Sequence, residues 1–301
     1  MKKNLYTRLA RLVFVLGVIA ALPFPCMTAR EARAAAPAQG PKLYVLDCGT
    51  IEGPDPARYS LKENEVAVRR FSIGCFLVVH PKGTLMWDVG AVKDEAWKPT
   101  GSAVTHELSL PDGQHRTITL RKGLLSQLAE IGVSPRDVTY LAVSHSHYDH
   151  TANTNAFAAA TWLTPQTELD SMFVPVPQGT RIPDYYSALR SSKRVVIPNN
   201  DYDVFGDGTV VIKPAPGHTP GHQVLYLKLA QTGGVILVGD LYHFPEERAL
   251  GRLPTSESSA PDTAASRAKI EAFAKENKAQ LWIQHDFVAN EKLKKSPASY
   301  E

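Results

Sequence analysis

Long hydrophobic runs are missing from this chain of 301 residues. The apolar run near its start, Leu12–Leu22, covers 11 residues, about half of what a membrane-crossing helix needs. A bundle of membrane spans is therefore not indicated. With 44% apolar and 21% charged residues, a disordered chain is not indicated either. A serine set in a Gly-x-Ser-x-Gly elbow is absent, and none of the three cysteines is placed as a nucleophile. The familiar covalent routes to hydrolysis are thus without their residues. No Pro/Gly/Ser-rich linker splits residues 41–301, so one domain is expected there.

A basic surface is missing as well, once the first 34 residues are set apart. Lys2, Lys3, Arg8 and Arg11 precede the short apolar run, and an Ala-rich stretch with Ala-Arg-Ala follows. That order describes a secretory signal peptide over residues 1–34, with export to the periplasm or medium. An uncleaved membrane anchor is the alternative. The Pro23-Phe24-Pro25 that precedes Cys26 is too bulky and rigid for a lipid-attachment site. The segment carries six basic residues and one acid, a charge of +5 within a chain of +3, so residues 35–301 hold about −2. Neither nucleic acid nor an anionic membrane is implied as a partner. Cys48 and Cys75 remain after cleavage. An oxidising compartment would allow a disulfide between them, and two buried thiols are the other reading.

Strands and helices alternate irregularly through the rest. Lys42–Asp47 reads as a strand followed by a turn-rich Gly49–Pro56, and Phe71–His80 with Thr84–Trp87 reads as a hairpin. Val104–Leu110 and His115–Leu120 flank a Pro-Asp-Gly turn and form a second hairpin. It reads as a solvated hairpin, with a flap or a homodimer contact as alternatives. Helices are expected over Lys122–Ile131, Thr151–Ala160, Pro165–Met172 and Asp262–Asn277, the last capped by Asp262 or Thr263. Short strands at Val138–Val143, Val195–Pro198, Val210–Lys213, Gln223–Leu229, Val235–Val238 and Leu281–Gln284 complete a layered α/β pattern.

Chemistry concentrates in His145-Ser146-His147-Tyr148-Asp149-His150, directly after an expected strand. Imidazole and carboxylate are the ligands that suit zinc and its neighbours. One metal rarely takes four ligands so close in sequence and still leaves room for substrate, so two divalent ions are the natural reading. More ligand types stand just past later strands: His218 and His222 after Val210–Lys213, Asp240 after Val235–Val238, and His285 after Leu281–Gln284. Layered α/β folds build their sites at such carboxyl ends. A lone histidine there is usually structural, and that reading would have to account for all of these at once.

The His145–His150 segment resembles the HxHxDH signature of the metallo-β-lactamase superfamily, and His218, Asp240 and His285 follow in the order that family shows. The resemblance implies a four-layer αββα sandwich. It also implies that His145, His147 and His218 hold one ion, that Asp149, His150 and His285 hold a second, and that Asp240 bridges them. His222 would be structural, and Asp88 in Trp87-Asp88-Val89-Gly90 would support the site from behind its ligands. Two divalent ions, zinc in the first instance, would activate a shared hydroxide for attack on a carbonyl or phosphoryl centre. Asp149 could take or steer a proton.

Within the superfamily the chain is most similar to the N-acyl homoserine lactonases, which implies a small lactone as substrate. The opening strand Lys42–Asp47, the Ile73–Val79 strand and the spacings of 22 and 45 residues between His218, Asp240 and His285 carry that likeness. Tyr148 stands where that group often presents an aromatic residue to substrate. A β-lactam hydrolase or another exported metallo-esterase or amidase is the alternative. Exported β-lactamases with this signature generally lack the bridging aspartate, and a nuclease would be more basic. One departure stands out. Lactonases usually carry a tyrosine three residues after the bridging aspartate, and here that position is His243, with Tyr242 one residue earlier. Either could assist at the ester, or both could be plain loop residues.

Overall fold

The computed structural model describes residues 40–98, 100–175 and 179–301. These belong to the compact unit that begins at Gln39, and the expected export signal at residues 1–34 lies outside them. Among the described residues no helix is long and apolar enough to cross a membrane.

Two sheets face each other. The larger is built from β1 (Lys42–Glu52), β2 (Arg70–His80), β3 (Gly83–Trp87), β4 (Val104–Ser109), β5 (His115–Leu120), β6 (Tyr140–Ala142), β7 (Thr161–Pro165) and β8 (Arg194–Ile197). Its order is β4-β5-β1-β2-β3-β6-β7-β8, antiparallel as far as β3 and parallel from there to β8. The second sheet holds β9 (Tyr202–Asp203), β10 (Val210–Pro214), β11 (Gln223–Leu229), β12 (Gly233–Leu237) and β13 (Gln280–Trp282), in the order β13-β12-β11-β10-β9. A last short strand, β14 (Ser299–Tyr300), pairs with β1.

The period-2 alternation of strand side chains decides the layers. On β2, Phe76 and Val78 point between the sheets, where they join Leu225 and Leu227 of β11 and Val235 and Leu237 of β12. Ile73, Cys75 and Leu77 of the same strand point the other way, into a cluster with Leu124 and Leu128 of α1 (Leu124–Glu130). On β11, Val224 and Tyr226 face outward onto Ile270 and Ala274 of the long helix Ala260–Asn277. Helix, sheet, sheet, helix is the four-layer sandwich expected. Each fully buried Phe or Leu in these clusters contributes about 1.5–3 kcal/mol. Phe157, Trp162, Met172, Tyr185 and Tyr186 sit in the helix-side core, with Phe173 packed against it.

Three local expectations are corrected. β1 runs on through Gly49 to Glu52, because a bulge between Asp47 and Thr50 with Gly49 at φ 112° lets the ladder resume where a turn was expected. The Thr151–Ala160 region is a single short helix, α2 (Tyr148–Thr151), followed by a 3-10 turn at Thr154–Phe157. Asn153 commits its side chain to the carbonyls of Val89 and Val92, which favours local bonds over a continuing helix. The helix Ala260–Asn277 is capped by Ser259, whose hydroxyl accepts from the Asp262 N–H, with Pro261 following in the first turn.

Candidate metal centre

The carboxyl ends of four strands converge. Two residues past β6 the chain turns through Ser144 into His145–His150; His218 follows β10, Asp240 follows β12, and His285 follows β13. Gly217 makes the first of these approaches possible. It sits at φ 137°, and a Cβ there would lie 2.2 Å from the Thr263 backbone nitrogen. Gly239 plays the same part before Asp240, at φ 51° and pressed against His222.

The ligand atoms form two groups. His145, His147, His218 and Asp240 make one, and Asp149, His150 and His285 the other, with the atoms of each group within 4.8 Å of one another. The two oxygens of Asp240 face different groups. Oδ2 lies 3.6 Å from His145 Nε2 and 3.4 Å from His218 Nε2. Oδ1 lies 3.0 Å from His150 Nε2 and 3.1 Å from His285 Nε2. His147 presents Nδ1, 3.0 Å from His218 Nε2. Asp149 approaches from the far side, 3.6 Å from His285 Nε2 and 3.8 Å from His150 Nε2. His145 Nε2, His150 Nε2 and Asp240 Oδ1 are buried without a hydrogen-bond partner. Buried polar atoms left open in this way, all of ligand type and aimed at one another, fit divalent cations.

Partners behind these groups fix the ring orientations. Asp88 is fully buried and holds φ 54°, a region that aspartate tolerates better than most residues. Its Oδ2 accepts from His150 Nδ1 at 2.9 Å and its Oδ1 from the Ser144 N–H at 2.6 Å. His285 Nδ1 donates to the Ser72 carbonyl at 2.9 Å, and His218 Nδ1 to Glu257 at 3.1 Å. With Nδ1 protonated and so engaged, each Nε2 turns its lone pair inward. Glu168 of α3 (Gln166–Met172) joins two loops: Oε1 accepts from the N–H and hydroxyl of Ser146, Oε2 from the Thr219 hydroxyl at 2.7 Å and the Gly221 N–H at 3.2 Å. Arg181 reaches the same Ser146 hydroxyl at 2.6 Å.

Electrostatics follow from burial and crowding. Burial, then the neighbouring histidines, holds His145 and His147 well below the ordinary imidazole value, so both are neutral and able to ligate. Burial would lower His150 too, but Asp240, Asp88 and Asp149 outweigh it and raise it. Burial alone would raise the Asp240 carboxyl, yet His285, His150 and His145 hold it well below its usual range.

His222 differs from its neighbours. Nδ1 donates to the Ala215 carbonyl at 3.0 Å, and Nε2 accepts the Asp240 N–H at 3.1 Å, so both nitrogens are used within the protein. Burial, with help from His218, lowers its pKa to about 4. The unfolded chain takes up that proton near pH 6.5. The contribution to stability is therefore complete above pH 6.5 and is lost as pH falls toward 4. His145 and His147 shift in the same direction, whereas His150 and His243, shifted upward, contribute evenly below pH 6.5. Chelator-treated protein is expected to melt at steadily lower temperature between pH 6.5 and 4.5, with a shallower decline in His222→Gln. Parallel slopes for the two proteins would count against this account.

Of the two residues considered for catalysis after Asp240, the structure brings only His243 to the centre. Its Nε2 lies 3.2 Å from Asp240 Oδ2 and its Nδ1 3.4 Å from Glu247. Burial works to lower its pKa, but Asp240 and Glu247 raise it to about 10. Tyr242 is a correction. Its hydroxyl donates to Glu271 at 3.1 Å, its ring lies under Arg267, and it belongs to the core beneath the long helix. Tyr242 is in extended backbone, φ −142° and ψ 142°, which sends it and His243 to opposite sides.

A cavity of about 400 Å³ opens over these atoms, lined by His147, Asp149, His218, Asp240, His243 and His285 among others. Asp112, Gln114, His115 and Arg116 of the β4–β5 hairpin also line it, so the hairpin stands where a flap would. A larger groove of about 870 Å³ beside Phe287 and Val288 touches the centre only through His285. Tyr59, Phe71, Glu168 and Glu257 join the site without any mark in the sequence. Glu257 lies in a loop with no periodic pattern, and nothing in the sequence would have singled it out.

The profile of the metallo-beta-lactamase superfamily matches residues 68–276, and the chain belongs to that superfamily. It is 29% identical over 266 residues to the N-acyl homoserine lactonase AttM of Azorhizobium caulinodans, covering 86% of this chain and 98% of that one. Among solved structures it is similar to an AiiA variant from B. thuringiensis with N-decanoyl-L-homoserine bound at the active site. That match has a TM-score of 0.71 at 20% identity, covering 87% and 99% of the two chains. It is also similar to AidC, a dizinc quorum-quenching lactonase, with a TM-score of 0.60 at 20% identity over 88% and 95%.

Proposed function

We propose that this protein is an exported, dinuclear metal-dependent hydrolase that opens N-acyl homoserine lactones. The observation that carries the reading is Asp240, whose two oxygens address two separate histidine groups. His145, His147, His218 and Asp240 Oδ2 would hold one ion, and Asp149, His150, His285 and Asp240 Oδ1 the other, with zinc supported by the dizinc neighbour. Bound divalent ions supply Lewis acidity and lower the pKa of water toward 7. The substrate class rests on the lactonase relatives, and the cavity of about 400 Å³ suits a small molecule. The pairing of Cys48 with Cys75 supports export.

The chain's own groups divide the work. Asp149 stands at the edge of the second group, where its carboxylate can take the proton that water gives up. His243 lines the cavity with Nε2 against Asp240, where a ring N–H can pass a proton to the departing ring oxygen.

Metal-loaded protein is expected to release acid from short- and long-chain N-acyl homoserine lactones. Chelator should abolish the release, and added metal should restore it. A β-lactam run in parallel separates the alternative. Absence of lactone turnover in protein that holds two equivalents of metal would sink the lactonase reading.

A further inference from the structure

Tyr59 lines the cavity on the side of His243, and its placement is rigid. It ends the 3-10 turn Pro56–Tyr59, which Asp55 caps by accepting the Ala57 N–H at 3.0 Å and which Ser60 closes in the left-handed region. Two long-range bonds hold the turn in place: the Ser60 hydroxyl donates to the Leu253 carbonyl at 2.7 Å, and the Thr255 N–H to the Arg58 carbonyl at 2.8 Å. The ring is wedged edge-on between Phe71, at 5.4 Å, and Phe244, at 5.2 Å, and leans on His243 at 4.6 Å.

Its hydroxyl is what stands out. Other tyrosines packed in this protein commit theirs, Tyr242 to Glu271 and Tyr186 to the Met172 carbonyl, whereas Tyr59 is half-buried at the cavity wall. The Tyr59 hydroxyl has no hydrogen bond to any described residue. Burial, Asp240 and Glu247 all press against its ionisation, so it remains a neutral donor. An uncommitted, preorganised donor that rests on His243 and lines the cavity over the two ligand groups has the properties of an oxyanion-stabilising group.

We propose that Tyr59 is a catalytic residue whose hydroxyl donates a hydrogen bond to the ester oxygen that gains charge during hydrolysis. The inference rests on the hydrolytic reading above. Water oxygen bonds to the carbonyl carbon and the C=O π pair moves onto oxygen. That pair returns as the ring C–O bond breaks, and the departing oxygen takes up the proton that water has lost. The Tyr59 O–H bond stays intact throughout, and its contribution is a hydrogen bond that strengthens as charge develops. His243 then has a second part, as the surface on which the phenol ring rests.

The test compares the metal-loaded wild type with Tyr59→Phe, which keeps the ring and its packing, and with Tyr242→Phe. Tyr59→Phe is expected to lose about 10- to 100-fold in kcat on the lactone, with KM changed little. Metal content should match the wild type, and binding of the ring-opened acid, read by calorimetry, should weaken several-fold. Tyr242→Phe should keep the wild-type kcat. Equal kcat in wild type and Tyr59→Phe overturns the assignment, as does a loss of rate that tracks lost metal. If the wild type opens no lactone, the lactonase reading fails on its own. The same comparison on phenyl acetate then decides Tyr59, and equal rates overturn it. If neither ester is turned over, equal affinities for the ring-opened acid do so.

Discussion

Asp240→Ala is expected to abolish the activity and to empty at least one of the two ligand groups. Among the described residues the carboxylate is the only anion that faces both groups, and five imidazoles converge around its position. Without it, His145, His150, His218 and His285 lose the negative charge that offsets a dication in a buried site. The backbone should survive, since the Asp240 N–H bond to His222 does not involve the side chain. Losing a direct ligand from a catalytic metal site is worth several kcal/mol of transition-state stabilisation, and about 4 kcal/mol corresponds to a rate loss on the order of 10³-fold. Metal content after dialysis and lactone turnover are the two measurements. Asp240→Asn, which keeps the shape, should behave similarly, because an amide cannot place a charged oxygen on both sides. Two retained equivalents of metal with near-normal turnover would show that the carboxylate does not join two ions.

The second large effect concerns Cys48 and Cys75, which are paired between β1 and β2 across 27 residues of chain. Neither is accessible, at 3% and 0% exposed. A loop of that length gives about 3–4 kcal/mol in the chain-entropy account. For a domain of this size that corresponds to roughly 6–16 °C in melting temperature. The bond also touches the site at one remove. A Cβ on Gly90 would lie 3.1 Å from Cys48 Cβ, and Gly90 closes the turn in which Asp88 holds His150. A Cys48→Ala, Cys75→Ala double variant is expected to melt lower by that margin and to release metal at lower chelator concentration. Superimposable melts for the variant and the oxidised wild type would remove the bond from the list of stabilising features.

The site was legible in the sequence to an unusual degree, for reasons specific to its residues. His145–His150 is contiguous, so no folding is needed to see that four ligand-type side chains fall together. His218, Asp240 and His285 each follow an apolar strand, and strand ends can be read from alternation and turn residues. Tyr242 and His243 could not be told apart in this way. Which of two neighbours faces the cavity depends on where the 3-10 turn Gly239–Leu241 gives way to extended backbone at Tyr242, and nothing in the residue string sets that point. Tyr59 was hidden for a different reason. It sits among Gly53, Pro54 and Pro56, where no periodicity exists, and it meets Phe71 and His243 only after β1 and β2 have paired. The extension of β1 through Gly49 was missed because a bulge looks like a turn until the partner strand is known.

Glu168 has a consequence for how the protein handles its ions over its lifetime. One buried carboxylate grips Ser146 from the first ligand segment and Thr219 with Gly221 from the second. Neither segment can swing aside without breaking its bonds to Glu168, so an ion that left by spreading the two segments would do so against four hydrogen bonds to one buried carboxylate. Ions should therefore exchange slowly on the scale of catalytic turnover. A molecule filled once would keep its metal through dilution into surroundings where free divalent ions are scarce.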